Sequence, residues 1–236
     1  MFFLFSGEGT TDLGCCTNSG SHCRDRDYSH GPMAVVVGQI VESRHGYSPI
    51  DTGFCGYVPK GTLAERAAEL KTLRKPLSLP GKKTPKETRY FYNNARVLAR
   101  IAKDFETLVD DEVVAVFFRD SDGSQSADRG LWDDKVASMY RGFDSEGFQR
   151  GVPMIPKPKS EAWVLCALKY GYHDGDLETR SGNDHSPNSL KSELLAHCGP
   201  LSAQDLVALV RKRAIDIDQL KMPSFMAFRV RLESVI

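Results

Sequence analysis

The sequence lacks an excess of charge of either sign, because 31 Lys and Arg residues balance 31 Asp and Glu residues among 236. This balance gives no overall field that would draw the chain to nucleic acid or to an anionic membrane, so any nucleic-acid contact must be a local patch. Long apolar runs are also missing. Residues 1–5 are apolar, but Gly7, Glu8 and Asp12 end the run, which is too short for a membrane span or a signal-peptide core and predicts a strand.

Three common enzyme motifs are absent: the phosphate-binding P-loop, the Gly-x-Ser-x-Gly elbow and the dinucleotide fingerprint. ATP hydrolysis, serine-hydrolase chemistry and NAD use therefore have no local support. Cysteine is sparse, and a chain of this length does not need disulfides to stabilise its core. We expect reduced thiols and a cytoplasmic location. The six cysteines are Cys15, Cys16, Cys23, Cys55, Cys166 and Cys198.

Strand-like and helix-like segments alternate along the chain, which predicts an α/β fold with a parallel sheet flanked by helices. We expect one α/β domain over residues 1–172 and a helical C-terminal extension over 173–236 packed on it. Segment 13–30 is rich in Gly, Ser, Asn, Asp and Cys without an apolar period, which predicts a long loop. The predicted strands are 1–6, 50–58, 113–118 and 152–155. The predicted helices are 33–43, 62–73, 87–105, 131–140, 160–170 with Ser160 as N-cap, and short helices after 187.

Acidic residues follow two of these strands. Glu8 comes after the first, and Asp120 and Asp122 come after strand 113–118, with Gly123 allowing a sharp turn. In open parallel sheets, ligand sites lie outside the carboxyl ends of the strands, and Mg²⁺ is usually held by one or two carboxylates. Each acidic segment alone is also typical of an ordinary turn. Together they predict a divalent-cation site at this sheet edge.

The chain resembles a known family at these residues. Strand-Gly7-Glu8-Gly9-x-x-Asp12, followed by strand-Asp120-Ser121-Asp122-Gly123, is similar to the TOPRIM signature of topoisomerases, primases and overcoming-lysogenization-defect nucleases. Segments 155–163 (IPKPKSEAW) and 221–228 (KMPSFMAF) are similar to small TOPRIM-like proteins of phage-defence loci. The Cys-rich insertion 13–30 departs from that pattern. The resemblance implies a TOPRIM-like Rossmannoid sheet.

The resemblance also implies site roles. Glu8 would be a metal ligand or general base, and Asp120 and Asp122 would hold Mg²⁺ or Mn²⁺. Asp12 and Glu161 would serve a second ion, although Asp12 is also typical of a turn cap and Glu161 of a favourable charge in the first turn of a helix. In addition, Lys157 and Lys159 would contact a phosphate or stabilise charge in the transition state.

The implied activity is metal-dependent cleavage of DNA or of an RNA such as tRNA, within an antiphage system. One alternative is another phosphoryl-transfer enzyme, such as a phosphatase, nucleotidyl transferase or primase-like protein. A second is a non-catalytic subunit or sensor that binds a partner protein through its C-terminal helices. The partners would be nucleic acid and a second defence protein or another copy of the chain. Asp120→Ala discriminates, because it would abolish a metal-dependent activity and spare a pure binding role.

Two further segments are open to a functional and a structural interpretation. The Cys/His-rich segment 15–30 contains zinc-ligand types, but adjacent cysteines without a second Cys-x-x-Cys pair do not match usual zinc spacings. The lysines of the connector near residue 82 could contact a nucleic-acid backbone, and the tyrosines that follow could stack on a base. A solvated linker is the favoured interpretation. Trp132 and Trp163 are expected to be core or interface residues rather than platforms for stacking bases. The ligand types are Cys15, Cys16, His22, Cys23 and His30; the connector residues are Lys82, Lys83, Lys86, Arg89, Tyr90 and Tyr92.

Overall fold

The computed structural model describes residues 1–73, 86–121, 131–174 and 176–236. Its strands are β1 (Phe2–Gly7), β2 (Gly14–Cys16), β3 (Cys23–Arg24), β4 (Tyr28–His30), β5 (Cys55–Val58), β6 (Val113–Phe118) and β7 (Gly151–Met154). Its helices are α1 (Pro32–His45), α2 (Lys60–Leu73), α3 (Lys86–Val109), α4 (Leu131–Asp144), α5 (Ser160–Leu168), α6 (Leu190–Cys198), α7 (Ala203–Arg211) and α8 (Pro223–Glu233). No helix in these ranges is long and apolar enough to cross a membrane.

Five strands form the main sheet, in the order β3-β5-β1-β6-β7. The four strands β5, β1, β6 and β7 are parallel, and the two-residue β3 pairs antiparallel at the edge. The expected α/β fold with a mostly parallel, helix-flanked sheet is confirmed, and its arrangement is Rossmann-like. Continuous apolar sequence explains the central strands, because β1 and β6 are buried on both faces.

Helices cover both faces of the sheet. Phe3 and Phe5 belong to one buried cluster with α1, α5 and the C-terminal helices, whereas Phe2 and Leu4 belong to a second with α2, α3 and α4. This division follows from the pleat, since alternate residues of a strand point to opposite faces. The single run of apolar residues in β1 thereby fills both cores.

The C-terminal helices pack on the first of these faces. Trp163 of α5 is buried, its indole nitrogen donates to Ser224 Oγ at 2.9 Å, and its ring packs against Phe225 and Phe228 of α8. The Gln39 side chain of α1 donates to the Val210 carbonyl of α7 at 2.7 Å. Trp163 therefore has the core position expected of it. Trp132 is only partly buried, and its indole nitrogen donates to the Ile155 carbonyl at 2.9 Å.

Segment 13–30 is not the long loop that its composition predicts. It contains β2, β3 and β4, with β2 and β4 forming a separate antiparallel pair and β3 extending the main sheet. A disulfide joins Cys16 to Cys23, so the expectation of reduced thiols is wrong for these two residues. Strands of two or three residues are too short to leave a period in the sequence, and the covalent link and pairing with β5 supply the order that composition does not reveal.

Candidate active site

The order of the parallel strands places a crevice between β1 and β6. The chain passes from β1 through α1 to β5 on one side, and then crosses through α2 and α3 to β6 on the other. Ligands bind at such a switch point, outside the carboxyl ends of the strands. Glu8 follows β1 and Asp120 lies just beyond β6, so the expected acidic edge is also the switch point of the sheet.

Two glycines shape the turn after β1. A Cβ at Gly7 would lie 2.2 Å from the Phe118 carbonyl oxygen, because β1 and β6 approach closely here. Gly9 has φ +88°, and a Cβ there would lie 2.4 Å from a carboxylate oxygen of Asp12. Glycine at these positions allows a tight turn after β1, in which the Asp12 backbone N–H donates to the Gly9 carbonyl at 3.2 Å.

Asp12 and Asp120 both contact Ser160, the first residue of α5. The Ser160 hydroxyl donates to Asp12 Oδ1 at 2.6 Å, and the Ser160 backbone N–H donates to Asp120 Oδ1 at 3.0 Å. The prediction that Ser160 is the N-cap is wrong, since Lys159 occupies that position. Asp120 instead satisfies a free N–H of the first turn, where the helix dipole favours negative charge.

The surroundings of Asp12 oppose its ionisation. Burial raises the pKa of the Asp12 carboxyl above its usual range, the hydrogen bond from Ser160 opposes this rise, and the negative charge of Glu161 adds to it. Glu161 Oε2 lies 3.5 Å from the Ser160 hydroxyl. Three acidic side chains therefore gather around the start of α5, where a cation would stabilise the ionised form of Asp12.

Buried lysines flank this acidic group. Lys159 is 6% exposed, and its Nζ donates to an oxygen of Asp184 at 2.8 Å. Lys135 of α4 is 3% exposed, and its Nζ donates to the Ser121 carbonyl at 2.5 Å. Buried ammonium groups keep their charge only when paired. Lys135 lies next to the segment that carries Asp120, and Lys159 lies next to Ser160.

Glu8 is held by cations on both sides. Its carboxylate lies 3.0 Å from Lys60 Nζ and 2.7 Å from a guanidinium nitrogen of Arg119. The Arg119 guanidinium in turn lies over the Tyr90 ring, 4.0 Å from its centroid. Lys157 also lies near an aromatic ring, with its Nζ 5.8 Å from the centroid of Trp132.

The donor atoms suit a hard divalent cation. Within the part of the chain that the structure describes, no three His, Cys, Asp or Glu side chains are grouped closely enough to hold a metal ion on their own. Asp12 and Asp120 supply a pair of carboxylates, and Mg²⁺ commonly takes one or two, with water and phosphate oxygens completing its shell. The residues present therefore fit Mg²⁺ or Mn²⁺. Asp122 lies outside the described residues.

Several residues of this edge were missed from the sequence. Arg119, Lys60, Lys135 and Asp184 carry no motif, since single charged residues are usually solvated surface. Arg119 directly follows β6, and Lys60 comes two residues after β5. Their positions at strand ends could have identified them as residues of this edge. Lys135 and Asp184 come together with the site only through tertiary packing, which no local pattern reports.

The two other sequence hypotheses have different outcomes. Cys16 and Cys23 are joined to each other, and His30 Nε2 lies 3.5 Å from Cys55 Sγ, so the Cys-rich segment forms a cross-linked and packed edge. In the basic connector, Lys82 and Lys83 lie outside the described residues. Tyr90 of α3 is partly buried beneath Arg119.

Comparisons with models of known protein families, with curated proteins and with solved structures find no match to this chain.

Proposed function

We propose that the carboxyl edge between β1 and β6 is a Mg²⁺- or Mn²⁺-dependent centre that cleaves phosphodiester bonds of nucleic acid. The proposal rests most directly on the convergence of Asp12 and Asp120 on Ser160, 2.6 Å and 3.0 Å away. Two carboxylates from separate strand ends meet at one helix start, at the switch point where this class of sheet binds ligands. The TOPRIM variant of the fold, with Asp122 as a further ligand, belongs to the same proposal.

The acids would hold the cation and orient the substrate phosphate. The Ser160 backbone N–H holds Asp120 and the Ser160 hydroxyl holds Asp12, so both carboxylates are restrained before a cation enters. A divalent cation held by Asp12 and Asp120 would lower the pKa of an attacking water and would offset charge at the scissile phosphate. Glu161, at the same helix start, adds negative charge that favours cation binding.

The lysines would complete the charge balance. A phosphodiester gains negative charge on its oxygens as the bond to the leaving group breaks, and preorganised cations stabilise that charge. Lys159 is buried beside Ser160, and Lys157 lies on the same segment. Glu8, at the end of the central strand, is the candidate general base. A partner protein or a second copy of the chain would supply substrate selection.

A cleavage assay tests the proposal. Purified protein is incubated with labelled plasmid, single-stranded DNA and tRNA, in Mg²⁺, Mn²⁺ or EDTA. Asp120→Asn is the sharper variant than Asp120→Ala, because the amide oxygen still accepts the Ser160 N–H while the charge is lost. Asp104→Asn is the matched control, since Asp104 is an exposed residue of α3. We expect cleavage that EDTA and Asp120→Asn reduce at least a hundredfold, as for removal of key charge stabilisation.

The outcomes separate the candidate functions. Cleavage that needs metal and Asp120 supports the nuclease and names its substrate. Turnover of a phosphomonoester or a nucleotide, but not of nucleic acid, favours another phosphoryl-transfer enzyme. Metal binding without turnover of any substrate favours the non-catalytic subunit. Cleavage that is equal in EDTA or in Asp120→Asn contradicts the proposed centre.

A further inference from the structure

Glu8 lies between two cations that come from both neighbours of its strand. Lys60 is the first residue of α2, just after β5, and Arg119 immediately follows β6. The Glu8 carboxylate is 3.0 Å from Lys60 Nζ through one oxygen and 2.7 Å from Arg119 through the other. Three adjacent strand ends therefore build an anion site, and a side chain of the protein fills it.

Arg119 is oriented by groups other than Glu8. Its guanidinium stacks on the Tyr90 ring at 4.0 Å, and its backbone N–H donates to the Met154 carbonyl at 3.0 Å. The side chain is 24% exposed, so one part is packed and another is open to solvent. Stacking on an aromatic ring pre-orients the planar donor fork of arginine. Neither of these two contacts involves the Glu8 carboxylate.

Glu8 is held weakly enough to be displaced. The side chains of Glu8 and Lys60 are 43% and 48% exposed. The ion pair between these two side chains is solvated, and such pairs contribute little because water and salt compete with them. A phosphate offers more acceptor oxygens to the same donors, and arginine binds phosphate in the two-bond geometry that it uses for carboxylate.

We propose that Lys60 and Arg119 bind a backbone phosphate of the nucleic-acid substrate, and that Glu8 occupies this phosphate site when substrate is absent. The choice of ligand rests on the proposed function, whereas the binding itself needs no metal and no cleavage. Phosphate entry displaces the Glu8 carboxylate from both cations and leaves it as a free acceptor. Substrate binding and the release of Glu8 are thus one event.

The test measures binding in EDTA, so that no hydrolysis takes place. A fluorescein-labelled single-stranded oligonucleotide of about 12 nucleotides, long enough for one site, is titrated with the full chain and followed by fluorescence anisotropy. The variants are Lys60→Ala, Arg119→Lys, Arg119→Ala and Glu8→Gln. Lys212→Ala removes an exposed lysine immediately after α7 as a control. Glu65→Gln removes an exposed acid of α2 as the control for loss of a negative charge.

The variants should change affinity in opposite directions. Lys60→Ala and Arg119→Ala should each weaken binding about five- to tenfold and lower its salt dependence, because each removes one of the two cations at the phosphate. Arg119→Lys should fall between wild type and Arg119→Ala, because it keeps the charge and loses the fork. Glu8→Gln should tighten binding severalfold more than Glu65→Gln, because it removes the competing carboxylate and not merely a negative charge.

Two results would overturn the inference: cation variants that behave like Lys212→Ala, or a Glu8→Gln variant that binds no tighter than Glu65→Gln. Circular dichroism and thermal melting check that each variant is folded. If Arg119→Ala does not fold, Arg119→Lys still tests the role of the guanidinium. The proposed function fails separately. If the variants bind as expected but no metal-dependent cleavage occurs, the nuclease proposal fails and the phosphate site stands. If cleavage occurs but the variants do not bind as expected, only the phosphate site fails.

Discussion

The hydroxyl of Ser160 donates a hydrogen bond of 2.6 Å to Asp12, although 148 residues separate them along the chain. The backbone N–H of the same serine donates to Asp120. One residue at the start of α5 thus positions acids that follow two different strands. The geometry of the candidate site depends on this serine as much as on the acids themselves.

Ser160→Ala should destabilise the fold by about 1–3 kcal/mol, because the partly buried carboxylate of Asp12 loses a charge-assisted hydrogen bond. Urea denaturation measures the loss. Ser145→Ala is the control, since the Ser145 hydroxyl makes only a local bond of 2.8 Å to the Gly142 carbonyl. Equal losses in the two variants would show that Ser160 has no special role in holding Asp12.

The raised pKa of Asp12 has a consequence for stability against pH. Burial, the largest cause, raises the pKa in the folded state, so ionised Asp12 costs the folded state more than the unfolded chain. This cost is absent below the unfolded pKa, near 3.8, and is fully present above the folded pKa. Asp12→Asn has no such cost. The stability of Asp12→Asn relative to wild type should therefore be greater at pH 7 than at pH 4.

Urea denaturation at these two pH values, in EDTA, measures that difference. Asp104→Asn is again the matched control, because Asp104 is exposed on α3 and burial is the cause under test. A difference for Asp12→Asn that stays constant or falls as the pH rises would show that burial does not disfavour the ionised form of Asp12.

Glu193 should stabilise the C-terminal helices in a pH-dependent way. Burial alone would raise its pKa, but hydrogen bonds from Lys169, Tyr170 and Arg180 outweigh burial and lower the pKa to about 2. Its contribution is therefore complete above the usual value of 4.5 and is lost as the pH falls toward about 2. Glu193→Gln should lose about 1–3 kcal/mol at pH 7 and less at pH 3, measured by urea denaturation. The same loss at both values would exclude a role for its charge.

The disulfide between Cys16 and Cys23 should stabilise the edge of the sheet near β5. The two residues are 7 apart in sequence, and closure of a loop of this size is worth about 2–3 kcal/mol in the chain-entropy model. Reduction, or Cys23→Ser, should lower the free energy of unfolding by that amount. Cys198→Ser is the control, since Cys198 is a free thiol. A free-thiol titration that is unchanged by reductant would contradict the bond.

Sequence patterns predicted the central sheet because its strands are contiguous apolar runs. Residues 113–118 were predicted as a strand and form β6 with the same bounds, and 33–43 lies within α1. The same patterns failed at 13–30, where pairing and a disulfide order strands of two or three residues. Local composition contains no information on either interaction.

The site was predicted only at the level of which strand ends carry acids. Glu8 and Asp120 were placed at the correct edge because carboxyl ends of parallel strands meet there. The predicted N-cap role of Ser160 was wrong, because Ser160 donates instead to Asp12 and Asp120, which lie on distant segments of the chain. The pairing of Glu8 with Lys60 and Arg119 was also missed, because it depends on the order of β5, β1 and β6 in the sheet. That order is a tertiary property.

Direct cation binding tests the central claim most simply. Mn²⁺ is titrated into the metal-free protein and free Mn²⁺ is followed by electron paramagnetic resonance, for wild type, Asp120→Asn and the control Asp104→Asn. We predict saturable binding in wild type and in the control, weakened at least tenfold by Asp120→Asn, as expected for loss of one charged ligand worth about 1.4 kcal/mol or more. Binding that is absent in wild type, or unchanged in Asp120→Asn, would contradict a cation site at the switch point of this sheet.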